Sequence, residues 1–134
     1  MSNWIFGSKA TRHEFEKRVS GKKWPIFKHT PNKIKLRKGD KIIFYKAGKD
    51  GRKFIGTASL GSEIISENVD YFVTLYDIQI WKKPIEVPTI LDELQFIKNK
   101  SNWGMYFQGG VTSLPPEDYK VILSKVSISP TQKK

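Results

Sequence analysis

Lys38-Gly39-Asp40-Lys41-Ile42-Ile43-Phe44-Tyr45-Lys46 is the stretch that decides how this chain folds. Gly39-Asp40 makes a tight turn, and the run that follows is apolar at four successive positions. A strand with one wet face would alternate, so this run predicts a strand covered on both faces. Just beyond it, Gly48-Lys49-Asp50-Gly51 has the composition of a hairpin turn. Arg52 to Leu60 returns as the partner strand, with Gly56 marking a bulge or a close backbone approach.

Toward the N-terminus, Asn3 to Gly7 is a short aromatic strand ended by glycine. Thr11-Arg12-His13-Glu14 has capping-box spacing and predicts a helix from about Arg12 to Val19. Phe15 and Val19, four apart, share one face of it. Lys22 to Asn32 holds two prolines and reads as a loop containing Trp24, Phe27 and His29. Toward the C-terminus, Tyr71 to Trp81 alternates as a strand with a bulge near Tyr76-Asp77. Pro84 and Pro88 punctuate the next stretch, and Ile90 to Phe96 is a short helix or turn. Pro115-Pro116 open a last helix with Tyr119, Ile122, Leu123 and Val126 as its apolar stripe. Glu117 and Asp118 suit its positive end. The sum is an α+β domain over residues 1–126: a curled, barrel-like mixed sheet of about five or six strands with flanking short helices. Residues 127–134 read as a polar, frayed tail.

Charge is distributed unevenly over that plan. Residues 1–53 carry sixteen of the 24 Lys and Arg but four of the 13 Asp and Glu, a net of +12. The remaining residues net −1. A one-sided positive field attracts a polyanion, and the interleaved aromatics, where exposed, offer stacking faces to bases. The chain has no cysteine, which removes disulfides, thiolate zinc sites and cysteine nucleophiles. It has two histidines, His13 and His29, and no phosphate-loop or dinucleotide fingerprint. No cofactor is expected. The apolar runs are shorter than a membrane span, and the reading is a soluble, cytoplasmic protein with no membrane partner, a monomer being favoured and the oligomeric state left open.

The candidate site residues are therefore aromatic and basic. Trp24 stands among Lys22, Lys23, Lys28 and His29, and Trp103 follows Lys98-Asn99-Lys100-Ser101-Asn102. Lys33, Lys35, Arg37 and Lys38 complete the set expected to hold phosphates, in a salt-sensitive and sequence-independent manner. Asp40 and Glu117-Asp118 read as turn and helix-end chemistry rather than as catalytic acids.

Stretches at both ends of the chain carry a family resemblance. Trp4-Ile5-Phe6-Gly7-Ser8, then Lys38 to Tyr45 with Phe54-Ile55-Gly56, resemble the opening strand and Gly-Asp signature of EVE domains. Leu91-x-x-Leu94-x-Phe96-Ile97-Lys98-Asn99-Lys100, Trp103-Gly104-Met105-Tyr106-Phe107 and Leu114-Pro115-x-Glu117-Asp118-Tyr119 resemble small single-domain EVE-like proteins of archaea and bacteria. The resemblance implies a PUA-like fold and kinship with YTH and ASCH domains. It implies a non-enzymatic reader of a modified base in RNA or DNA, held in an aromatic pocket. By position it places Asn3, Trp4, Ser8, Trp24 and Trp103 at that pocket, and a base held against Trp24 would take its second wall from Trp103 or Phe27. The chain departs from the family pattern at Gly7, Lys9-Ala10 and Pro25. The alternatives are an ASCH-like ribonuclease or nucleoside amidohydrolase, and a PUA-like RNA binder indifferent to modification.

Overall fold

In the computed structural model, Lys41–Lys46 lies inside the sheet with all four central residues buried. The structure describes residues 2–9, 12–27, 30–48, 51–107 and 110–126. Over these, the strands are β1 (Asn3–Ser8), β2 (Lys23–Ile26), β3 (Lys41–Lys46), β4 (Lys53–Leu60), β5 (Ile65–Glu67), β6 (Asp70–Glu86) and β7 (Val111–Leu114). The α-helices are α1 (Arg12–Gly21), α2 (Val87–Ile90) and α3 (Pro116–Ser124), and 3-10 turns cover Lys33–Lys35, Leu91–Glu93 and Lys100–Phe107. Strand order is β2-β6-β4-β3-β1-β7, with β5 also paired to β6. β1 and β3 are parallel, whereas the other pairs are antiparallel. The sheet is therefore mixed, in the α+β class expected.

The double-sided burial of β3 comes from two cores. Trp4 and Phe6 of β1, with Ile42 and Phe44 of β3, join Trp24, Leu36, Leu60 and Val73 in one cluster. The intervening Ile5, Ile43 and Tyr45 join Phe54, Leu94, Ile97, Phe107 and Ile122 in another. Alternation along a strand sends successive side chains to opposite faces, so one strand feeds both cores.

The sheet curls about β6, which is 17 residues long. Its first part lies between β2 and β5, and its later part pairs with β4. Register breaks fall opposite Gly56 and between Tyr76 and Gln79, where Asp77 has φ 53°. Both bulges expected from sequence are thus present. A Cβ on Gly56 would collide with the Gln79 carbonyl and crowd the Ile80 backbone, so the close approach there requires glycine.

Several local expectations are corrected. The stretch with Trp24 is strand β2, not loop; Pro25 is tolerated because β2 pairs with β6 alone. β6 runs through Pro84 rather than stopping there, on a segment paired only with β4. β7 was not anticipated. Asp118 is fully buried, and its carboxylate accepts from the Gln95 and Phe96 backbone N–H groups (2.8 and 2.9 Å), which ties α3 to a turn more than twenty residues earlier in the chain. α1 begins as predicted and extends to Gly21. Thr11 of the capping box, Lys49-Asp50 of the hairpin turn and the 127–134 tail lie outside the described residues.

Candidate functional site

Ser8 stands at the centre of the candidate site because β1 ends there. Its carbonyl accepts from Ala47 N–H (2.8 Å), and in register it sits beside Lys46 of β3. Three clefts meet at Ser8, of about 510, 370 and 610 Å³. Each falls in the range typical of small-molecule sites.

The first cleft is the most apolar. Phe15 and Val19, the expected apolar face of α1, line it together with Trp24, Tyr45, Ile55 and Trp81. Trp24 is wedged among rings: Phe44 at 5.1 Å and Phe6 at 5.9 Å are tilted against it, and Phe15 meets it edge-on at 5.9 Å. Polar groups enter at Ser8, Glu16, Lys46 and Lys53. Burial pushes the Tyr45 phenol above its ordinary value, opposed by Arg52.

The second cleft lies between the end of β1, β2 and the following turn. Lys9, Arg18, Trp24 and Phe27 line it. Phe27 is 69% exposed and is presented by a reciprocal turn: its N–H donates to Thr30 Oγ1 (3.1 Å), and Thr30 N–H donates to its carbonyl (3.0 Å). Asn102, Gly104 and Met105 line the third cleft, with Ser8 and Tyr45.

The structure brings together part of the expected constellation. Ser8, Trp24 and Phe27 share the second cleft. Asn3 and Trp4 are at the opposite end of β1, about 13–17 Å from Ser8 at strand rise. Trp4 is core, not cleft: it is buried, and its indole N–H donates to Asp40 Oδ2 at 2.9 Å. Trp103 belongs to the other core, where it packs edge-on to Phe107 at 5.7 Å under the Arg52 guanidinium at 5.0 Å. It lines none of the three clefts.

The expected phosphate ligands are also elsewhere. Lys23 lies over the Phe72 ring and Lys33 over Tyr71, each at 4.7 Å. Arg37 Nη1 donates to the Ile34 and Leu36 carbonyls. Lys22, Lys35 and Lys38 are exposed but line none of the three clefts. Lys28 and His29 lie outside the described residues. The basic groups at the clefts are instead Lys9, Arg18, Lys46 and Lys53. Lys46 and Lys53 could have been found, since they flank the predicted hairpin turn symmetrically. Arg18 and Trp81 carried no sequence signal of their own.

A curled mixed sheet with an aromatic cleft at the end of its first strand defines a PUA-like module. The EVE domain family model matches residues 2–125, and the chain belongs to that family. A UPF0310 protein of Pyrococcus horikoshii is 30% identical over 142 residues, covering 91% of this chain and 97% of that protein. Human THYN1, solved in complex with 5-methylcytosine containing DNA, superposes with a TM-score of 0.67 at 13% identity, covering 92% and 96% of the two chains. The YTH domain of Zygosaccharomyces rouxii MRB1, solved with N6-methyladenosine RNA, gives 0.63 at 13% identity, covering 92% and 84%. At such identities these two structures establish a shared fold.

Proposed function

We propose that this protein is a non-enzymatic nucleic-acid-binding module that reads a modified base, in RNA or DNA, in the cleft beside Trp24. The observation that carries the reading is the composition of that cleft: aromatic and aliphatic walls, a few convergent polar groups and two lysines. Apolar walls with few polar groups suit a flat, weakly polar ligand extruded from its stack. Lys46 and Lys53, with Lys9 beside the second cleft, supply the positive charge for the flanking phosphates. Membership of the EVE family, and the modified-base ligands of THYN1 and the YTH domain, support the same reading.

Stacking contributes about 1–3 kcal/mol per base, and a buried methyl adds about 0.8 kcal/mol. Discrimination between methylated and plain bases is therefore modest unless the plain base also strands a polar group. A hydrolase reading has one observation in its favour, the presence of Glu16 in the same cleft as Ser8. The Ser8 hydroxyl accepts a hydrogen bond from Arg18 Nη1 (3.1 Å), a cation that cannot act as a general base, so the hydrolase reading requires another group to take the Ser8 proton.

The test is titration of intrinsic tryptophan fluorescence with short single strands of RNA and DNA, with and without N6-methyladenine or 5-methylcytosine, at two salt concentrations. Quenching that depends on the modification and survives higher salt is the expected result. Binding blind to modification and lost with salt reduces the protein to a general nucleic-acid binder. Turnover of the strand, abolished in Ser8→Ala, replaces the reading with the hydrolase.

A further inference from the structure

Trp24 lines two clefts and yet is only 3% exposed. Phe6 and Phe44, which pack against it, are core residues of β1 and β3 and cannot leave. Arg18 is different. Its guanidinium carbon lies 4.8 Å over the Trp24 ring, while its Nη1 donates to Ser8 Oγ at 3.1 Å. Ser8 and Trp24 are the two residues common to the first and second clefts, and Arg18 holds both of them. A planar cation thus occupies the kind of position over the indole that a stacked base would need.

We propose that Arg18 is a displaceable latch on the Trp24 stacking face, so that base binding exchanges a guanidinium–indole contact for a base–indole contact. The proposal rests on Trp24 being a base-stacking residue, and it places the incoming base on the side of the ring that faces the second cleft, which Arg18 lines. Arg18 shares the less exposed face of α1 with Phe15 and Val19, and its long unbranched chain can swing outward while Phe6 and Phe44 stay in place. Burial pulls its ionisation equilibrium below the ordinary arginine value, opposed by Glu14 one turn earlier. Release into water restores hydration to a partly desolvated cation, so opening the latch is compensated. The apparent affinity of the cleft is lowered by the fraction of molecules in which Arg18 is seated. In this scheme only a ligand that stacks better than guanidinium gains entry, which favours extended, methylated bases over small polar molecules.

The experiment compares the wild-type protein with Arg18→Ala, using the neutral nucleosides N6-methyladenosine and 5-methyl-2′-deoxycytidine as probes in calorimetric titration. Nucleosides carry no phosphate, so loss of a positive charge does not weaken them electrostatically. Alanine is the best helix former, so α1 is retained. The expected result is tighter nucleoside binding by Arg18→Ala, by about 3- to 30-fold. A gain of affinity is not something a merely damaged site produces. Binding by the wild type with equal or weaker binding by Arg18→Ala overturns the latch and leaves the base site standing. Binding of neither nucleoside by either protein overturns both.

Discussion

Lys46 and Lys53 sit directly opposite each other in the β3–β4 register, and both line the first cleft. Like charges in that arrangement repel. On its other side, Lys53 stands in register with Glu86, which offsets part of the repulsion. Replacing both lysines by Gln should weaken oligonucleotide binding and flatten the dependence of log K on log salt by up to about 1.8, at about 0.9 per phosphate contact on duplex and about 0.7 on single strands. Gln at Lys35 and Lys38, away from the clefts, should change the slope less. Affinity measured across a salt series checks both. Thermal stability should stay level or rise slightly.

Under the proposed function Trp24 both packs the core and stacks the base, which one substitution cannot separate. Trp24→Ala should lower stability by about 3–5 kcal/mol, because the ring is packed against Phe6, Phe15 and Phe44. Trp24→Phe should keep much of that packing while shrinking the stacking face, with about tenfold weaker base binding. Urea unfolding beside ligand titration shows whether the two losses part company as expected.

Asp40 is a buried connector. Its carboxylate accepts from Ser2 N–H (3.0 Å), Trp4 Nε1–H (2.9 Å) and Arg37 N–H (3.0 Å), joining the start of β1 to the turn before β3. Asp40→Asn keeps one oxygen and offers an amide to donors, which should cost about 1–3 kcal/mol. Denaturant unfolding gives the loss, and displacement of the Trp4 indole proton resonance should accompany it. Base binding by the folded fraction should be unchanged, since Asp40 lines none of the three clefts.

Gly56→Ala should destabilise by about 1–3 kcal/mol, because the new methyl meets the backbone of Gln79 and Ile80 rather than a side chain that can turn away. Thermal unfolding measures it. A neutral result would mean that β6 can shift away from β4 at this bulge.

Much of the architecture was legible because it rests on local pattern. The unbroken apolar run of β3 announced burial on both faces, and two cores on opposite sides of the sheet satisfy it. The Phe15–Val19 spacing announced one apolar face of α1, and that face lines the first cleft. β2 was hidden because Pro25 cannot donate to a ladder, and only the edge position of the strand makes it acceptable. Asp118 was read as a helix-end charge because nothing local reveals that two backbone N–H groups of a distant turn need its oxygens.

The candidate site divides along the same line. By itself the sequence determined the α+β class and the EVE membership suggested by motifs in order. Those depend on short-range periodicity and on residues adjacent in the chain. Only the tertiary structure decided that Trp4 supports the core, that Trp103 packs in the other cluster, and that Lys9, Arg18, Lys46 and Lys53 are the cations at the clefts. The physical reason is register: which side chains meet is set by how β1, β3, β4 and β6 align and by the seating of α1, and pairing between distant strands leaves no mark on the local pattern.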